Sequence, residues 1–389
     1  MSANLRLISG WRTRFIRIRV IWFILTEAYK CYGDPFQAIS ILRKLRTLRQ
    51  KVHGCKVIKK YIKSGRQYFW NSDYCGYPSE NFKALLHGEF LRNRQTDIDE
   101  SGEIPPLQTI IWGITNRCPL ACNHCYEWDN IAQCDTLDLT ALKRIFTIFK
   151  TSGIRHLQFS GGEPLARFND LLALIREASP HMDCWLLTSG FGLTAQKAAA
   201  LKKAGLTGAN ISLDHWDKLL HNNFRNNEDS FTQAISAIQH CIDAGIICSL
   251  SLCATREFVS EDNLMKYATL AKEHNVHFIR ILEPRAIGKF AGQQVHLENQ
   301  QIQLISEFAA RLNSDSRYKD FPVVTFFGYY QREIGCLGAG DRYLYADPNG
   351  DVHACPFCRG KMGNLLEEPF QEIIDKLKSI GCRQFQKPT

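Results

Sequence analysis

The sequence predicts an α/β fold built on a mainly parallel sheet, and three observations lead to that class. Six strand-like runs alternate with five amphipathic helical runs between residues 108 and 283. Such alternation is typical of parallel strands joined by crossover helices. A basic, mainly helical segment precedes this region, and a cysteine-bearing hairpin and helix follow it. Periodicity alone leaves open whether the strands form a barrel or a doubly wound sheet.

The predicted elements and domains follow in chain order. Strand-like runs cover residues 108–115, 155–160, 183–189, 208–213, 246–255 and 276–283. Helical runs cover residues 138–152, 167–178, 194–205, 229–244 and 261–274. The chain has 389 residues, 45% of them hydrophobic, which is enough for a well-packed core. We expect a basic extension at 1–105, a central α/β domain at 106–315 and a small C-terminal domain at 316–389.

Three cysteines share one short loop after the first predicted strand. Cys118, Cys122 and Cys125 can bind three irons of a cubane [4Fe–4S] cluster and leave the fourth iron without a protein ligand. A zinc site is an alternative, but a closed one needs four ligands, and His124 is the only local candidate for the fourth. A disulfide is also open, although the chain lacks a clean secretory signal.

A second motif lies one βα unit later. The strand-like run 156–160 leads into Gly161, Gly162, Glu163 and Pro164, and a helical run follows. Paired glycines at a strand end let the backbone approach a ligand closely, because no Cβ intervenes. Many turns contain paired glycines, so the motif alone is a weak signal. Its position one βα unit after the cysteine loop makes it a strong one.

The cysteine loop followed by the Gly-Gly-Glu-Pro turn resembles the radical S-adenosylmethionine superfamily. The similarity covers about residues 107–290 and departs from the family at Ser189, where an asparagine is usual. Four further segments match in the family's order: 187–190, 211–214, 221–225 and 281–288. The resemblance implies a partial (β/α)6 TIM-like barrel with its chemistry at the C-terminal ends of the strands.

The resemblance also implies cofactors and roles. S-adenosylmethionine would chelate the open iron, and its one-electron cleavage would give a 5′-deoxyadenosyl radical that removes hydrogen from a substrate. Gly161, Gly162 and Glu163 would contact the methionine end of the cofactor. Ser212 would bind its ribose or carboxylate and Arg225 its carboxylate, although an ordinary strand-end serine and a surface arginine are equally good interpretations.

A second cysteine set occupies the C-terminal segment. Cys336, Cys355 and Cys358 flank a predicted hairpin whose turn is Pro-Asn-Gly, and a helix leads to Cys382, the least certain member. The segment resembles the SPASM/twitch extension of radical enzymes, but the longer cysteine series that would hold two clusters is missing. One auxiliary [4Fe–4S] cluster is therefore expected, with a zinc knuckle on the same residues as the alternative.

The formal net charge of +9 is concentrated at the front of the chain, where residues 1–100 carry 19 Lys or Arg and 8 Asp or Glu. Residues 14–25 mix arginines with large apolar residues. The next predicted helix places four apolar side chains on one face: Ile39, Leu42, Leu45 and Leu48. We expect this arm to dock on the barrel, with peripheral contact to an anionic membrane as the alternative; no nucleic acid is expected. The run 60–79 predicts a small strand-and-turn module over the barrel mouth.

Three functional hypotheses follow. The first is a radical enzyme that modifies a peptide or protein, the second a radical enzyme that modifies a lipid or other small molecule, and the third a non-enzymatic iron–sulfur or zinc scaffold. An enzyme of this kind would need a low-potential electron donor such as flavodoxin or ferredoxin. Fifteen cysteines together with oxygen-sensitive clusters indicate a reducing, oxygen-poor compartment, so we expect a cytoplasmic protein or one at the inner face of the membrane.

The two cysteine sets predict different mutational effects. We expect Cys118→Ala to abolish cleavage of S-adenosylmethionine, because the radical cluster loses one of its three attachments. Cys355→Ala should retain part of the cleavage, because its cluster is auxiliary. Formation of 5′-deoxyadenosine under anaerobic conditions with dithionite measures both effects, and an equal loss in the two variants would contradict the separate roles.

Overall fold

The computed structural model describes residues 5–53, 58–94, 107–131 and 133–382. The N-terminal part contains, in order, β1 (Arg6–Ser9), α1 (Arg12–Tyr32), α2 (Pro35–His53), β2 (Lys60–Ser64), β3 (Gln67–Phe69) and α3 (Glu80–Arg94). The central part contains β4 (Thr109–Gly113), α4 (Leu139–Thr151), β5 (His156–Ser160), α5 (Phe168–Ala178), β6 (Asp183–Thr188), α6 (Ala195–Ala204), β7 (Gly208–Ser212), α7 (Lys218–Arg225), α8 (Ser230–Asp243), β8 (Ile247–Cys253), α9 (Glu261–Glu273), β9 (Phe278–Leu282) and α10 (Asn299–Ser314). The C-terminal part contains β10 (Val323–Phe326), α11 (Phe327–Ile334), β11 (Tyr343–Ala346), β12 (Asp351–His353), β13 (Gly363–Asn364) and α12 (Phe370–Ile380).

One ten-stranded sheet organises the central and C-terminal parts, in the order β10-β9-β8-β7-β6-β5-β4-β11-β12-β13. Neighbouring strands from β10 to β11 are parallel, and β12 and β13 continue the sheet antiparallel. The six strands predicted from the sequence, now β4 to β9, are confirmed, and each lies within two residues of its predicted ends. Among the described strands no pairing joins the two ends of the sheet, so the barrel is partial and open.

Several of the helices between these strands, α4, α6 and α9 among them, begin where the sequence supplies a capping side chain. Asp138 accepts a hydrogen bond from the backbone N–H of Ala141 at the start of α4. Thr194 and Ser260 cap α6 and α9 in the same way. Such caps satisfy backbone donors that lack a partner in the first helical turn, and the helices then turn their apolar faces to the sheet.

The C-terminal hairpin is confirmed, but its strands also extend the main sheet. β11 pairs with β12 around the predicted turn and, on its other edge, runs parallel to β4. The sequence also did not predict β10, which pairs with β9. The parallel sheet therefore continues beyond the expected boundary between residues 315 and 316.

The N-terminal module lies at the opposite end of the barrel from the one expected. Ile62 and Phe69 form an apolar cluster with Trp185, Phe278 and other residues near the starts of the parallel strands. Asp183, the first residue of β6, accepts hydrogen bonds from the backbone N–H of Gly76 in the module and from the side-chain amide of Asn81 in α3. The prediction that this module covers the barrel mouth is therefore wrong, because it closes the N-terminal ends of the strands.

A buried lysine adds a polar contact to this closed end. Lys60 is 1% exposed and donates to the carbonyl oxygens of Phe321 at 2.7 Å and Pro322 at 3.3 Å. Burial lowers the pKa of Lys60 to about 7, because an ammonium group is costly to remove from water. The carbonyl oxygens accept its N–H donors and so offset part of that cost.

The two N-terminal helices pack against other helices of the chain, and docking of their apolar face on the barrel stays a prediction. α1 contacts α2 and α3, and α2 contacts α11. The apolar face of α2 is shifted from the predicted one, because Ala38 and Ile41 are buried while Ile39 is 43% exposed. The side chain of Leu48 lies outside the part of the chain whose side chains are described. None of the described helices combines the length and apolar character needed to cross a bilayer.

The closed end of the barrel predicts a large stability effect. Phe69 is 1% exposed within the apolar cluster, so Phe69→Ala should lower the free energy of unfolding by about 3–5 kcal/mol. Phe36→Ala is the matched control, because Phe36 is 81% exposed and its loss should change that free energy by no more than ~0.5 kcal/mol. Anaerobic urea unfolding measures both, and equal effects would contradict this packing.

Candidate active site: two groups of thiols joined by one sheet

The cysteine loop begins where β4 ends. Cys122 is buried, and Cys118 and Cys125 are half-buried. Asp135 fixes the entry to the loop, because its carboxylate accepts from the backbone N–H of Asn116 at 2.8 Å and from Arg117 Nε at 2.8 Å. The three thiols predicted as iron ligands are thus presented together at the C-terminal end of a parallel strand, while their ligand roles stay predictions.

The Gly-Gly-Glu-Pro turn packs directly on this loop. A Cβ on Gly161 would lie 2.5 Å from the carbonyl oxygen of Thr115, and one on Gly162 would lie 2.5 Å from that of Arg117. The N–H of Gly162 donates to Thr115 O at 2.8 Å, and the N–H of Glu163 donates to Arg117 O at 2.8 Å. The close approach expected of these glycines is therefore made to the backbone of the cysteine loop. Their contact with S-adenosylmethionine stays a prediction.

A third glycine holds the far end of the loop. Gly288 has a φ of +52°, and a Cβ there would lie 2.1 Å from the carbonyl oxygen of Cys125. The next residue, Lys289, donates from its backbone N–H to that oxygen at 3.0 Å and from Nζ to Ala121 O at 2.9 Å. The segment after β9 therefore packs on the cysteine loop with no room for a side chain.

Glu163 is enclosed by the end of the next strand. Its carboxylate accepts from Thr188 Oγ1 at 2.6 Å, from the Ser189 N–H at 2.8 Å and from the Leu165 N–H at 3.1 Å. Burial raises the pKa of Glu163, and these hydrogen bonds oppose that rise. Ser189, where the family usually has asparagine, also donates through its hydroxyl to the same carboxylate. Glu163 thus joins the cysteine-loop turn to β6, and its predicted cofactor contact stays a prediction.

Arg225 lies beside a cluster-loop thiol. Its Nε donates to Asp214 Oδ2 at 2.6 Å, and its Nη1 is 3.6 Å from Cys122 Sγ. Burial opposes ionisation of Asp214, but Arg225 and nearby histidines bring the pKa of Asp214 below its ordinary value. Arg225 is therefore a buried, paired cation and not a surface arginine. Ser212 lies at the end of β7 opposite Ser251 in the register. The predicted contacts of Ser212 and Arg225 with the cofactor stay predictions.

Electrostatics inside the loop favour protonated thiols in the absence of iron. Burial raises the pKa of Cys118 and of Cys125 to about 12. Since thiolates bind metals, loading this site must release protons, and the bound iron must compensate for the cost of the buried charges. His124, the alternative zinc ligand, stacks on Phe224 with ring centroids 4.7 Å apart.

The barrel interior contains polar side chains with atoms that have no hydrogen-bond partner among the described residues. Asn210 and Ser249 are opposite each other on β7 and β8, and Arg280 lies on β9. Asn210 Oδ1 and Nδ2, Ser249 Oγ and Arg280 Nε are buried without a described partner. Buried polar atoms are rarely left unpaired, so this layer suits a polar ligand or ordered water.

The second group of thiols assembles beside β11. The thiols of Cys355, Cys358 and Cys382 lie close enough to shift one another's ionisation, and Cys336 lies close enough to Cys382 and Cys358 to do the same. The Cys355 and Cys382 contacts and the positive charge of Arg285 lower the pKa of Cys358 to about 6. The structure therefore brings all four predicted auxiliary-cluster residues together, including the least certain one. Their roles as ligands stay predictions.

A buried acidic side chain connects the two groups of thiols. Glu127, two residues after Cys125, accepts hydrogen bonds from Tyr345 on β11 and from both terminal nitrogens of Arg359. Arg359 directly follows Cys358, so one ion pair joins the two loops. This pair could not be predicted from the sequence, because neither residue belongs to a motif and they are 232 positions apart.

The donor sets fit iron–sulfur clusters. Three thiols on the first loop match a cubane with one open iron, and four thiols at the second site match a fully ligated one. In the described part of the chain, no three His, Cys, Asp or Glu side chains lie close enough to share a single metal ion. A cubane does not require that arrangement, since each thiolate binds a different iron.

Fold and thiols together define a parallel α/β iron–sulfur protein. The model of the radical SAM superfamily matches residues 112–268, and that of the SPASM iron–sulfur cluster-binding domain matches residues 336–388. The chain belongs to the radical S-adenosylmethionine superfamily. It is an enzyme whose cofactors are a [4Fe–4S] cluster and S-adenosylmethionine, and its SPASM domain binds auxiliary iron–sulfur.

Individual relatives are distant and cover most of the chain. The AdoMet-dependent heme synthase of Oleidesulfovibrio alaskensis is 26% identical over 340 residues, which are 80% of this chain and 84% of the relative. The mycofactocin maturase MftC of Mycolicibacterium smegmatis is 28% identical over 274 residues, or 68% of this chain and 69% of the relative. The crystal structure of Streptococcus suis SuiB bound to precursor peptide SuiA shares the fold, with a TM-score of 0.56, 12% identity and coverage of 79% of this chain and 72% of SuiB.

The contact between Gly288 and the cysteine loop predicts a loss of cluster binding. In Gly288→Ala, the new methyl group would displace the backbone at Cys125, so we expect less iron and a weaker absorbance of the radical cluster after reconstitution. Gly292→Ala is the matched control: its φ of +76° imposes similar backbone strain, but no atom lies within 4 Å of the added Cβ. Equal iron contents in the two variants would show that the loop does not depend on this contact.

Proposed function

We propose that this enzyme modifies a peptide or protein by radical chemistry. The observation that carries the proposal is the second group of thiols, which lies beside a strand that continues the radical SAM sheet and within a match to the SPASM domain. The structure of SuiB, which has this fold, holds a precursor peptide. A substrate of that kind could reach the strand ends from the barrel mouth, because the described N-terminal module closes the other end.

Some residues of the chain would hold the iron–sulfur cluster, and others would position S-adenosylmethionine. Cys118, Cys122 and Cys125 would hold three irons and leave the fourth for S-adenosylmethionine. When bound, the two cofactors supply a one-electron cleavage and a radical that removes a hydrogen atom from the substrate. The cationic Arg225 beside Cys122 Sγ would stabilise the negative charge of the thiolate.

The turn and the strand ends would position the nucleoside cofactor. Gly161 and Gly162 let the turn pack directly on the cluster loop, and Glu163 keeps that turn against β6. Ser212, at the end of β7, would donate a hydrogen bond to a ribose or carboxylate group. The unpaired polar atoms of Asn210 and Ser249 would face polar groups of the ligands or the water that accompanies them.

The C-terminal thiols would hold one auxiliary [4Fe–4S] cluster. Residues 316–389 contain four cysteines, Cys336, Cys355, Cys358 and Cys382, which is the number that one fully ligated cubane requires. The Glu127–Arg359 ion pair would keep that site in register with the radical site. A low-potential donor such as flavodoxin or ferredoxin would reduce the enzyme in a reducing cytoplasm.

A small-molecule substrate is the second candidate. It is favoured by the likeness to a heme synthase, which covers 80% of this chain. The two candidates differ in the chemistry that must enter the barrel, since a porphyrin is a rigid planar ring and a peptide is a flexible chain. A direct comparison of the two substrate classes therefore separates them.

The test is an anaerobic assay of the reconstituted enzyme. Iron and sulfide are counted first, and 5′-deoxyadenosine is then measured with dithionite and S-adenosylmethionine. We expect cleavage in the fully loaded enzyme, and faster cleavage with a mass change in short peptides encoded beside its gene. No cleavage by loaded enzyme would overturn radical catalysis. If porphyrins and not the peptides accelerate the formation of 5′-deoxyadenosine, the substrate is a small molecule and the peptide proposal is wrong.

A further inference from the structure

Helix α1 carries an apolar stripe on the side that faces away from the protein. Five large side chains follow one another at positions i, i+4, i+7, i+11 and i+18, which places them on one face of a helix. They are Trp11, at the N-terminal cap, Phe15, Ile18, Trp22 and Tyr29, and each is between 53% and 67% exposed. A globular protein seldom leaves such a row of large apolar side chains in water.

The opposite face of α1 is already used for packing. Ile16 and Ala28 are buried there, and Phe23 packs against the apolar cluster that includes Phe82 of α3. The stripe is therefore not part of the internal apolar core. It is a second apolar face with no covering element in the described part of the chain.

Positive charge surrounds the stripe. Arg12, Arg14 and Arg19 are exposed on α1. The one acidic residue of α1, Glu27, is buried and forms ion pairs with Lys30 and Lys83. Helix α2 adds five further Lys or Arg residues and no acid. An anionic partner would thus meet cations around an apolar centre and no exposed acid of this helix.

We propose that this face of α1 binds the surface of an anionic lipid bilayer. The helix of 21 residues would lie in the plane of the interface, with Trp11, Phe15 and Trp22 at the level of the headgroups and acyl boundary. Arg14 and Arg19 would contact lipid phosphates on the two sides of the stripe. Tryptophan and tyrosine suit this interface because one part of each ring system is apolar and another donates hydrogen bonds.

Charge distinguishes the bilayer from the other occupants. In a symmetric pair of chains joined through this face, the arginines of one copy would approach those of the other, which opposes association. Nucleic acid would meet a row of apolar rings where phosphates need donors. A bilayer of anionic lipid supplies both the apolar layer and the negative charge.

The test is co-sedimentation of the full-length, cluster-loaded enzyme with vesicles of phosphatidylcholine, with or without phosphatidylglycerol. We expect binding to the vesicles with phosphatidylglycerol, and weaker binding as salt is raised. Arg14→Glu with Arg19→Glu should weaken binding by roughly 25-fold or more, because each lost cation costs about fivefold and reversal adds repulsion. Phe15→Ser with Trp22→Ser should weaken it by at least about tenfold.

Leu219→Ser with Leu220→Ser is the matched control, because these side chains are 67% and 51% exposed on α7, away from the stripe. This variant should bind vesicles like the unchanged protein. The proposal would be overturned if the protein without substitutions stays in the supernatant. It would also be overturned if the control variant loses as much binding as the variant with Phe15→Ser and Trp22→Ser. A stripe-dependent dimer in sedimentation equilibrium, with no vesicle binding, would overturn it in favour of a second copy. Enzymatic turnover plays no part in these readouts, so they are independent of the proposed substrate.

Discussion

Backbone contacts hold the cysteine loop from three sides, and the arrangement of the site depends on them. Gly162 donates to Thr115 before the first thiol, the N–H of Asn123 donates to Phe224 O at 2.9 Å between the second and third, and Lys289 donates to Cys125 at the end. These partners follow three different strands of the sheet. The spacing of the thiols is therefore a property of the whole sheet, because a change in its curvature would move the three supports relative to one another.

The same sheet determines the positions of the two groups of thiols relative to each other. β11 lies next to β4 in parallel register, so the C-terminal site begins on the strand beside the one that leads to the cysteine loop. Tyr345 on β11 and Arg359 both donate to Glu127, and the ring of Tyr345 lies 6.0 Å from that of Tyr126. A buried carboxylate of this kind is stable only while its partners are present, so the interface between the two sites has little freedom to rearrange.

The sequence predicted those parts of the fold that repeat or carry a motif. β4 to β9 follow from regular alternation, and the thiols and the Gly161–Pro164 turn follow from their spacing. The short β10, the parallel pairing of β11 with β4 and the Glu127–Arg359 pair depend on contacts between distant segments, which leave no local pattern. The apolar face of α2 was misplaced because apolar residues at both Ile39 and Ile41 allow two helical faces. Packing of Ala38 and Ile41 into the apolar cluster with α1 and α3 selects one of them.

The buried Lys60 has a consequence for how the chain is made. Its acceptors lie 261 and 262 positions later, so during synthesis the N-terminal module emerges long before the strand ends that complete its surroundings. Until then Ile62 and Phe69 lack their apolar partners on β6, β8, β9 and β10. Contacts of such large sequence separation form late and slowly. The closed end of the barrel is therefore completed only after most of the chain has been synthesised.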